Sequence, residues 1–366
     1  MKPILGIAAV LALLGCMFYF LRHVSHAYTP DELSYQALVV IIILSMGVIL
    51  GGCELFANGV ENFGQHMNLS HAAAGGILAA VGTALPETLV PIFALISGTK
   101  QHGEGIAIGA ILGAPFMLTT LAMFSLGVTT FILWLKKDRE RPLFNANITA
   151  LMTDLFFFIP TMAVVLCISI WGGTVIKSIG VLGLIITYAA FCKVTLSHEA
   201  QDGEEYEEKL YFNCYFSCSK TQANIVVQIL IGLLFIVVGA HIFIDYITIV
   251  SMKSGISALV LSLIIAPIAT ELPEKYNSIT WTVQGKDTLA MANITGAMIF
   301  QSTIPISIGL LFTRWQLGHT ELLNIMIAIT MATAILITVK IKKRLPGWTL
   351  LIGGIFYMAY IVRILG

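Results

Sequence analysis

The chain has 366 residues, of which 57% are hydrophobic and only 11% charged, with a mean hydropathy of +0.90. A soluble globular domain carries about 25% charged residues, so the composition excludes that class and defines a polytopic membrane protein. Formal net charge is zero and no long basic tract stands out, which leaves nucleic-acid binding without support.

Lys2 precedes an apolar run from Pro3 to Leu21, followed by Arg22-His-Val-Ser-His-Ala27. The run is long for a signal-peptide core and short for a span, and Ser25 and Ala27 satisfy the small-x-small rule for cleavage. Residues 1–27 therefore read either as a signal peptide or as an N-terminal anchor helix, with Tyr28 outside in both cases. From there, apolar segments of about 20 residues predict spans near 35–57, 71–97, 104–134, 144–168 and 174–197. A polar stretch intervenes, and further spans are predicted near 224–249, 255–283, 287–312, 320–340 and 346–365.

The division is thus a first membrane repeat over 31–197, an acidic linker over 198–222 and a second repeat over 223–366. The linker contains Glu199-Ala-Gln-Asp-Gly-Glu-Glu-Tyr-Glu-Glu208 and reads as a solvated connection. Cys214 and Cys218 near it read as ordinary or lipidated thiols more readily than as a metal site. Lys136-Lys-Asp-Arg-Glu-Arg141 and Lys340-Ile-Lys-Lys-Arg344 are the densest basic clusters. Six spans separate them, so they share a face, which should be cytoplasmic together with the linker. An odd number of spans per half turns the second half upside down relative to the first.

Two polar stretches interrupt the apolar runs. Ala80-Val-Gly-Thr-Ala-Leu-Pro-Glu87 and Pro267-Ile-Ala-Thr-Glu-Leu-Pro-Glu274 both end in Thr-x-Leu-Pro-Glu. A charge inside a bilayer costs several kcal/mol and is usually kept for function. The next span carries Ala107-Ile-Gly-Ala-Ile-Leu-Gly-Ala114 in the first half and Met291-Ala-Asn-Ile-Thr-Gly-Ala297 in the second. Ahead of each motif sits Gly52-Cys-Glu-Leu-Phe-Ala57 or Gly239-Ala-His-Ile-Phe-Ile244. The three blocks recur in the same order, which makes the chain an internal duplication. Inverted repeats with Pro- or Gly-broken helices at matching places point to a secondary transporter with its ion site near the midplane. Proline frees backbone oxygens beside each glutamate. Carbonyl and carboxylate oxygens suit a hard cation such as calcium, which takes six to eight of them.

Thr83-Ala-Leu-Pro-Glu87 and Thr270-Glu-Leu-Pro-Glu274, each followed by a Gly-Ala span, resemble the two signature repeats of the cation/calcium antiporter superfamily, sodium/calcium exchanger type. The family motif is A-x-G-T-S-x-P-E, with G-N-x-x-G-S-N in the next span. The resemblance covers the chain from about Tyr35. It implies an all-α polytopic fold of two inverted repeats of five transmembrane helices, the N-terminal helix or signal peptide being extra. It also implies that Glu87 and Glu274 bind calcium at the midplane between them, with Thr83, Thr270 and the backbone carbonyls around Ala80 and Pro267 adding sodium or calcium ligands. The chain departs from the family at Ala84, Glu271, Ala114 and Ala297, where serine is usual. Leu118 and Gln301 stand where Asn or Asp is frequent.

Each candidate has a plainer reading. The two glutamates could cap broken helices, and a membrane threonine often bonds only its own backbone. Gln301 is either a ligand or an interhelical hydrogen bond. Asn293 matches a family asparagine, but its partner in the first half is Ala110, so it ranks lower. Glu271 lies three residues before Glu274 and is either a second site carboxylate or the partner of Lys275, four residues on. Left spare, it would share a proton with Glu274 and act as a proton carrier. No role is assigned to Glu54, Asp154, His241 or Asp245.

The functional expectation is a secondary active antiporter in the plasma membrane, exchanging calcium or a similar divalent cation for sodium or protons by alternating access, with no cofactor. The alternatives are a non-transporting degenerate homologue and a proton-coupled exchanger of another cation. An intramembrane metalloprotease would need His-Glu-x-x-His, and His198-Glu199 lacks the second histidine, so the protein is expected not to be an enzyme. A channel would favour pore-loop rings over a two-fold repeat. The sequence leaves the oligomeric state open.

Overall fold

A computed structural model describes residues 33–66, 85–97, 100–199, 210–211 and 222–365. The N-terminal run, the stretch with Ala80 and Thr83, and Cys214 and Cys218 lie outside the described residues, as does most of the acidic linker.

The first half contains α1 (Tyr35–His66), α2 (Leu85–Ser97), α3 (Lys100–Met117), α4 (Met123–Leu135), α5 (Ile148–Trp171) and α6 (Thr174–Glu199). The second half contains α7 (Gln222–Ser254), α8 (Ala258–Thr270), α9 (Leu272–Val283), α10 (Asp287–Phe312), α11 (His319–Lys342) and α12 (Gly347–Leu365). Among the described residues, eight helical runs are long and apolar enough to cross a membrane, and Glu87–Ile96 and Ala258–Ile268 are shorter apolar helices in the two motif segments. The spans expected from hydropathy all have counterparts, although the first motif span is described only from Leu85.

α3 and α4 form one run, Gly103–Leu135, joined by a π-helical turn at Leu118–Ala122. Pro115 lies just ahead of that turn and has no N–H for the carbonyl one turn back, a common cause of such a disturbance. Within the turn, Thr119 and Thr120 donate to the Pro115 and Phe116 carbonyls at 2.8 and 2.6 Å. α5 is capped by Asn147, whose side-chain oxygen accepts from the backbone N–H groups of Thr149 and Ala150. α6 exposes Val175, Ile179, Leu182 and Ile186 at helical spacing, an apolar face that suits acyl chains.

The helices gather into two compact units. One holds the described residues up to Ala107 with Cys192–Ser262, and the other holds Ile108–Phe191 with Leu263–Gly366. Within the first unit, α1 and α7 pack backbone to backbone. A Cβ on Gly52 would stand 2.8 Å from the Gly232 carbonyl, and one on Gly239 would stand 3.0 Å from the Ile49 nitrogen. The repeated Gly52 and Gly239 blocks are therefore a helix-packing device of small residues. The close approach lets Gln228 donate to the Leu55 carbonyl and to Asn58 Oδ1, both at 2.9 Å. α1 runs on to His66, past the expected end near 57, because Asn58 and Asn62 on its extension are buried.

Within the second unit, β1 (Leu143–Phe144) pairs antiparallel with β2 (Leu345–Pro346). This ladder holds the two basic clusters at one end of the unit, as the span count between them requires. Arg139, read from sequence as part of a cytoplasmic basic cluster, forms a bidentate pair with Asp287 at 2.6 Å and donates to the Thr282 carbonyl. Asn145 N–H donates to the same carboxylate at 2.7 Å, so Asp287 is fully engaged at the start of α10.

Gly113 on α3 faces α8. A Cβ there would fall 2.3 Å from the Leu263 carbonyl and 2.6 Å from Pro267 Cγ. Gly113→Val should destabilise the protein by about 1–3 kcal/mol or more through overpacking. A clear fall in melting temperature in detergent is the expected reading, and an unchanged value would show that α3 and α8 can part without loss.

Candidate functional site

The second motif interrupts its span as the proline pattern requires. α8 ends at Thr270, Glu271 stands at the break with φ −94° and ψ 5°, and α9 begins at Leu272 with Pro273 in its first turn. Pro273 has no N–H to donate to the carbonyl of Ala269, and Pro267 has none for the carbonyl of Leu263. The released oxygens therefore lie one turn before each proline. Pro267's own carbonyl accepts from Glu271 N–H at 3.1 Å, which leaves it one lone pair. The carbonyl end of α8 carries the negative end of the helix dipole, which favours cations.

Glu274 lies in the first turn of α9 and Glu87 in the first turn of α2, so both repeats place their carboxylate at the third residue of a helix opening Leu-Pro-Glu. Relative exposure is 0% for Glu274 and 3% for Glu87. Glu87 belongs to the first unit, whereas Pro267, Thr270, Glu271, Glu274 and Gln301 belong to the second. Ala80 and Thr83 are outside the described residues.

The alternatives left open for Glu271 are resolved toward its neighbour. Lys275 Nζ lies 2.9 Å from Glu271 Oε2, with side-chain exposures of 9% and 0%. The turn between them is regular, since Lys275 N–H donates to the Glu271 carbonyl at 3.1 Å. The structure thus sets Glu271 against Lys275, the second of its two readings.

Thr270 donates its hydroxyl to the Ala266 carbonyl at 3.2 Å, the plainer of its two readings. Gln301 is fully buried, and neither its amide nitrogen nor its oxygen has a hydrogen-bond partner among the described residues. A buried amide left so is costly and marks a place where a further group is wanted. Among the described residues no three or more His, Cys, Asp or Glu side chains gather to hold a metal. A cation here must also draw on carbonyls, amides or water.

Asn293 does more than its sequence rank implied. Its amide donates to the Glu274 carbonyl at 3.1 Å and to Ser278 Oγ at 2.9 Å, fixing α9 against α10. If Glu274 binds the divalent ion that the family resemblance implies, Asn293→Ala should lower divalent affinity on the order of tenfold by loosening this turn. Wild-type concentration dependence of flux would remove that role. Asp154 accepts from Thr295 Oγ1 at 2.5 Å, so an intramembrane carboxylate given no role touches the span after the second motif. His241 and Asp245 form an exposed pair at 3.7 Å, and Tyr211 hydroxyl lies 3.4 Å from exposed Glu54.

Sequence reading passed over the buried hydroxyl pairs Thr119 with Thr120 and Ser302 with Thr303. Each pair sits at the same offset after its Gly-Ala, Gly113-Ala114 or Gly296-Ala297, which is the signal that would have found them. Ser302 and Thr303 donate to the Ile299 carbonyl at 3.0 and 2.8 Å, as Thr119 and Thr120 do to their own helix.

A multi-pass chain whose described residues are helical apart from one short ladder, broken at a proline beside buried carboxylates, has the architecture of an ion-translocating membrane protein. A family model described as sodium/calcium exchanger protein matches residues 37–196 and 224–366, and the chain belongs to that family. It is 24% identical over 323 residues to the uncharacterized membrane protein MJ0091 of Methanocaldococcus jannaschii, covering 88% of this chain and 95% of that one. The putative antiporter CaxA of Alkalimonas amylolytica is 22% identical over 280 residues, covering 74% of this chain and 79% of the relative. Among solved structures, the H+/Ca2+ exchanger CAX superposes with a TM-score of 0.73 at 16% identity, over 98% of this chain and 88% of that one. The sodium-calcium exchanger NCX_Mj, soaked with Na+ and Sr2+, gives 0.56 at 19% identity, over 89% and 98%. These likenesses establish the fold.

Proposed function

We propose that the protein is a secondary active antiporter of the cell membrane that exchanges calcium, or a similar divalent cation, for sodium or protons by alternating access. It is a carrier and not an enzyme. Glu87 and Glu274 supply the carboxylates, and Gln301, Thr270 and the carbonyls freed around Pro267 and Pro273 are the further oxygens. Family membership supports the exchange of cations. The observation that carries the choice of a divalent ion is the matched pair of carboxylates: Glu87 and Glu274 each stand third in a helix opening Leu-Pro-Glu, at exposures of 3% and 0%.

Ala84, Ala114, Leu118 and Ala297 offer no side-chain oxygen where the family motif has hydroxyls or amides, so full sodium occupancy is hard to support. The ion pair of Glu271 with Lys275 speaks against Glu271 as a proton carrier. Purified protein in proteoliposomes should take up radiolabelled calcium against an outward gradient of sodium or of protons, and only one of the two gradients should drive net accumulation. Absence of calcium flux under both would overturn the reading.

A further inference from the structure

The two basic clusters meet at one end of the second unit. Leu143 pairs with Pro346 and Phe144 with Leu345, and Gly347 N–H donates to the Pro142 carbonyl at 2.9 Å, so two loops remote in sequence share one ladder. Lys136, Lys137 and Arg141 on one loop and Lys342, Lys343 and Arg344 on the other are exposed, facing only the exposed carboxylates of Asp138 and Glu140 on the same loops. None of these six cations forms an ion pair among the described residues, and Lys342 Nζ lies instead 4.7 Å from the centre of the Trp348 ring. The rule that puts basic residues beside span ends asks for the charges but not for their convergence. Backbone conformation singles out two of the lysines. Lys137 lies just past α4 and Lys343 just past α11, with φ of 65° and 54°, a left-handed conformation that glycine adopts without the strain a Cβ brings. Lys136 and Lys342 already place an ammonium at each carbonyl end, so the helix dipole does not require the second one. The adjoining surface is apolar: Leu135 and Ile341 are 71% and 73% exposed, and Trp134 and Trp348 are exposed with them. Exposed tryptophan is enriched where hydrocarbon gives way to headgroups.

We infer that this end of the unit is a binding site for an anionic phospholipid, its phosphate held between the cations of the two loops and its acyl chains lying along the exposed aliphatic side chains at the ends of α4 and α11. Cations bordered by apolar surface match an amphiphile and not a soluble anion. A zwitterionic lipid brings its own ammonium, which the cluster repels, so the site selects for net negative charge. A Cβ on Gly347 would stand 3.2 Å from Phe131 Cε2 and from the Pro142 carbonyl, so α12 starts against the end of α4. A lipid bound here therefore joins the feet of α4, α11 and α12, and it does so whatever ion the protein carries.

The test is made on the full chain purified in detergent and titrated with phosphatidylglycerol, phosphatidylcholine or glycerol 3-phosphate. Phosphatidylglycerol should raise the melting temperature by on the order of a few degrees and saturate as a bound ligand does, while the other two should leave it unchanged. Lys137→Gly/Lys343→Gly removes two cations at positions whose backbone glycine suits, so it should melt like wild type without lipid yet lose more than half of the phosphatidylglycerol response. Arg363→Gln, which removes a cation from the opposite end of α12, should respond as wild type. An equal response to phosphatidylcholine would overturn the charge selection, and an equal response to glycerol 3-phosphate would make the cluster a site for soluble anions. A full phosphatidylglycerol response in the double variant would overturn the site itself, as would an equal loss in Arg363→Gln. If the double glycine variant yields no folded protein, Arg141→Gln/Arg344→Gln decides by the same reading: a lowered response supports the site and an unchanged one overturns it.

Discussion

Glu87→Gln and Glu274→Gln should each abolish coupled divalent flux while leaving a folded protein. Glutamine keeps the size of the side chain and one oxygen but removes a full charge. For a group at 3% or 0% exposure, that charge is not replaced by water. Losing one partner of a buried charge interaction costs about 3–5 kcal/mol, so affinity should fall on the order of a hundredfold or more. Both carboxylates sit in the first turn of a helix opening Leu-Pro-Glu, where the amide is sterically equivalent and the fold has no reason to change. Flux against calcium concentration, measured beside size-exclusion behaviour, checks both halves of the expectation. Wild-type exchange in Glu87→Gln would remove it from the site, and a loss of folded protein would make its role structural.

Much of this architecture is legible in the residues because the physics that sets it is local in sequence. Spans follow from apolar length, and the break at Glu271 follows from Pro273 having no N–H. The matched placement of Glu87 and Glu274 follows from the repeated Leu-Pro-Glu. What depends on a partner elsewhere is not legible in the same way. Arg139 looks like one more charge in a basic loop until Asp287, 148 residues away, is brought to it. Asn293 was ranked by its match to a motif, whereas its contribution comes from facing the Glu274 carbonyl across two helices. The glycines of the Gly52 and Gly239 blocks are visible as a repeat, but the need for them is set by how closely α1 and α7 approach. The π-helical turn after Pro115 has only a generic proline as its signal. Lys275 is an intermediate case. An i,i+4 pair forms only if the backbone is regular between its members, and a stretch containing Pro273 gave no assurance of that.

That regular turn reverses the expectation for Glu271→Gln. Were Glu271 a spare acid beside Glu274, its removal would alter proton coupling and leave the divalent site otherwise intact. Paired at 2.9 Å with Lys275, its removal instead leaves an ammonium uncompensated in a segment where that side chain is 9% exposed. Breaking such a pair at one end costs about 3–5 kcal/mol, more than deleting both ends together. The ammonium left uncompensated is the next residue in the chain after Glu274, where it opposes the binding of a cation. Glu271→Gln should therefore lower both the melting temperature and the apparent affinity for calcium, the latter by an amount approaching that of Glu274→Gln, although Glu271 supplies no ligand in this account. Thermal unfolding in detergent and calcium-dependent flux in proteoliposomes read the two effects separately. A variant that melts lower yet keeps wild-type calcium affinity would place the ion pair outside the field of the bound ion, and the site would then have to be built from Glu87 and Glu274 without it.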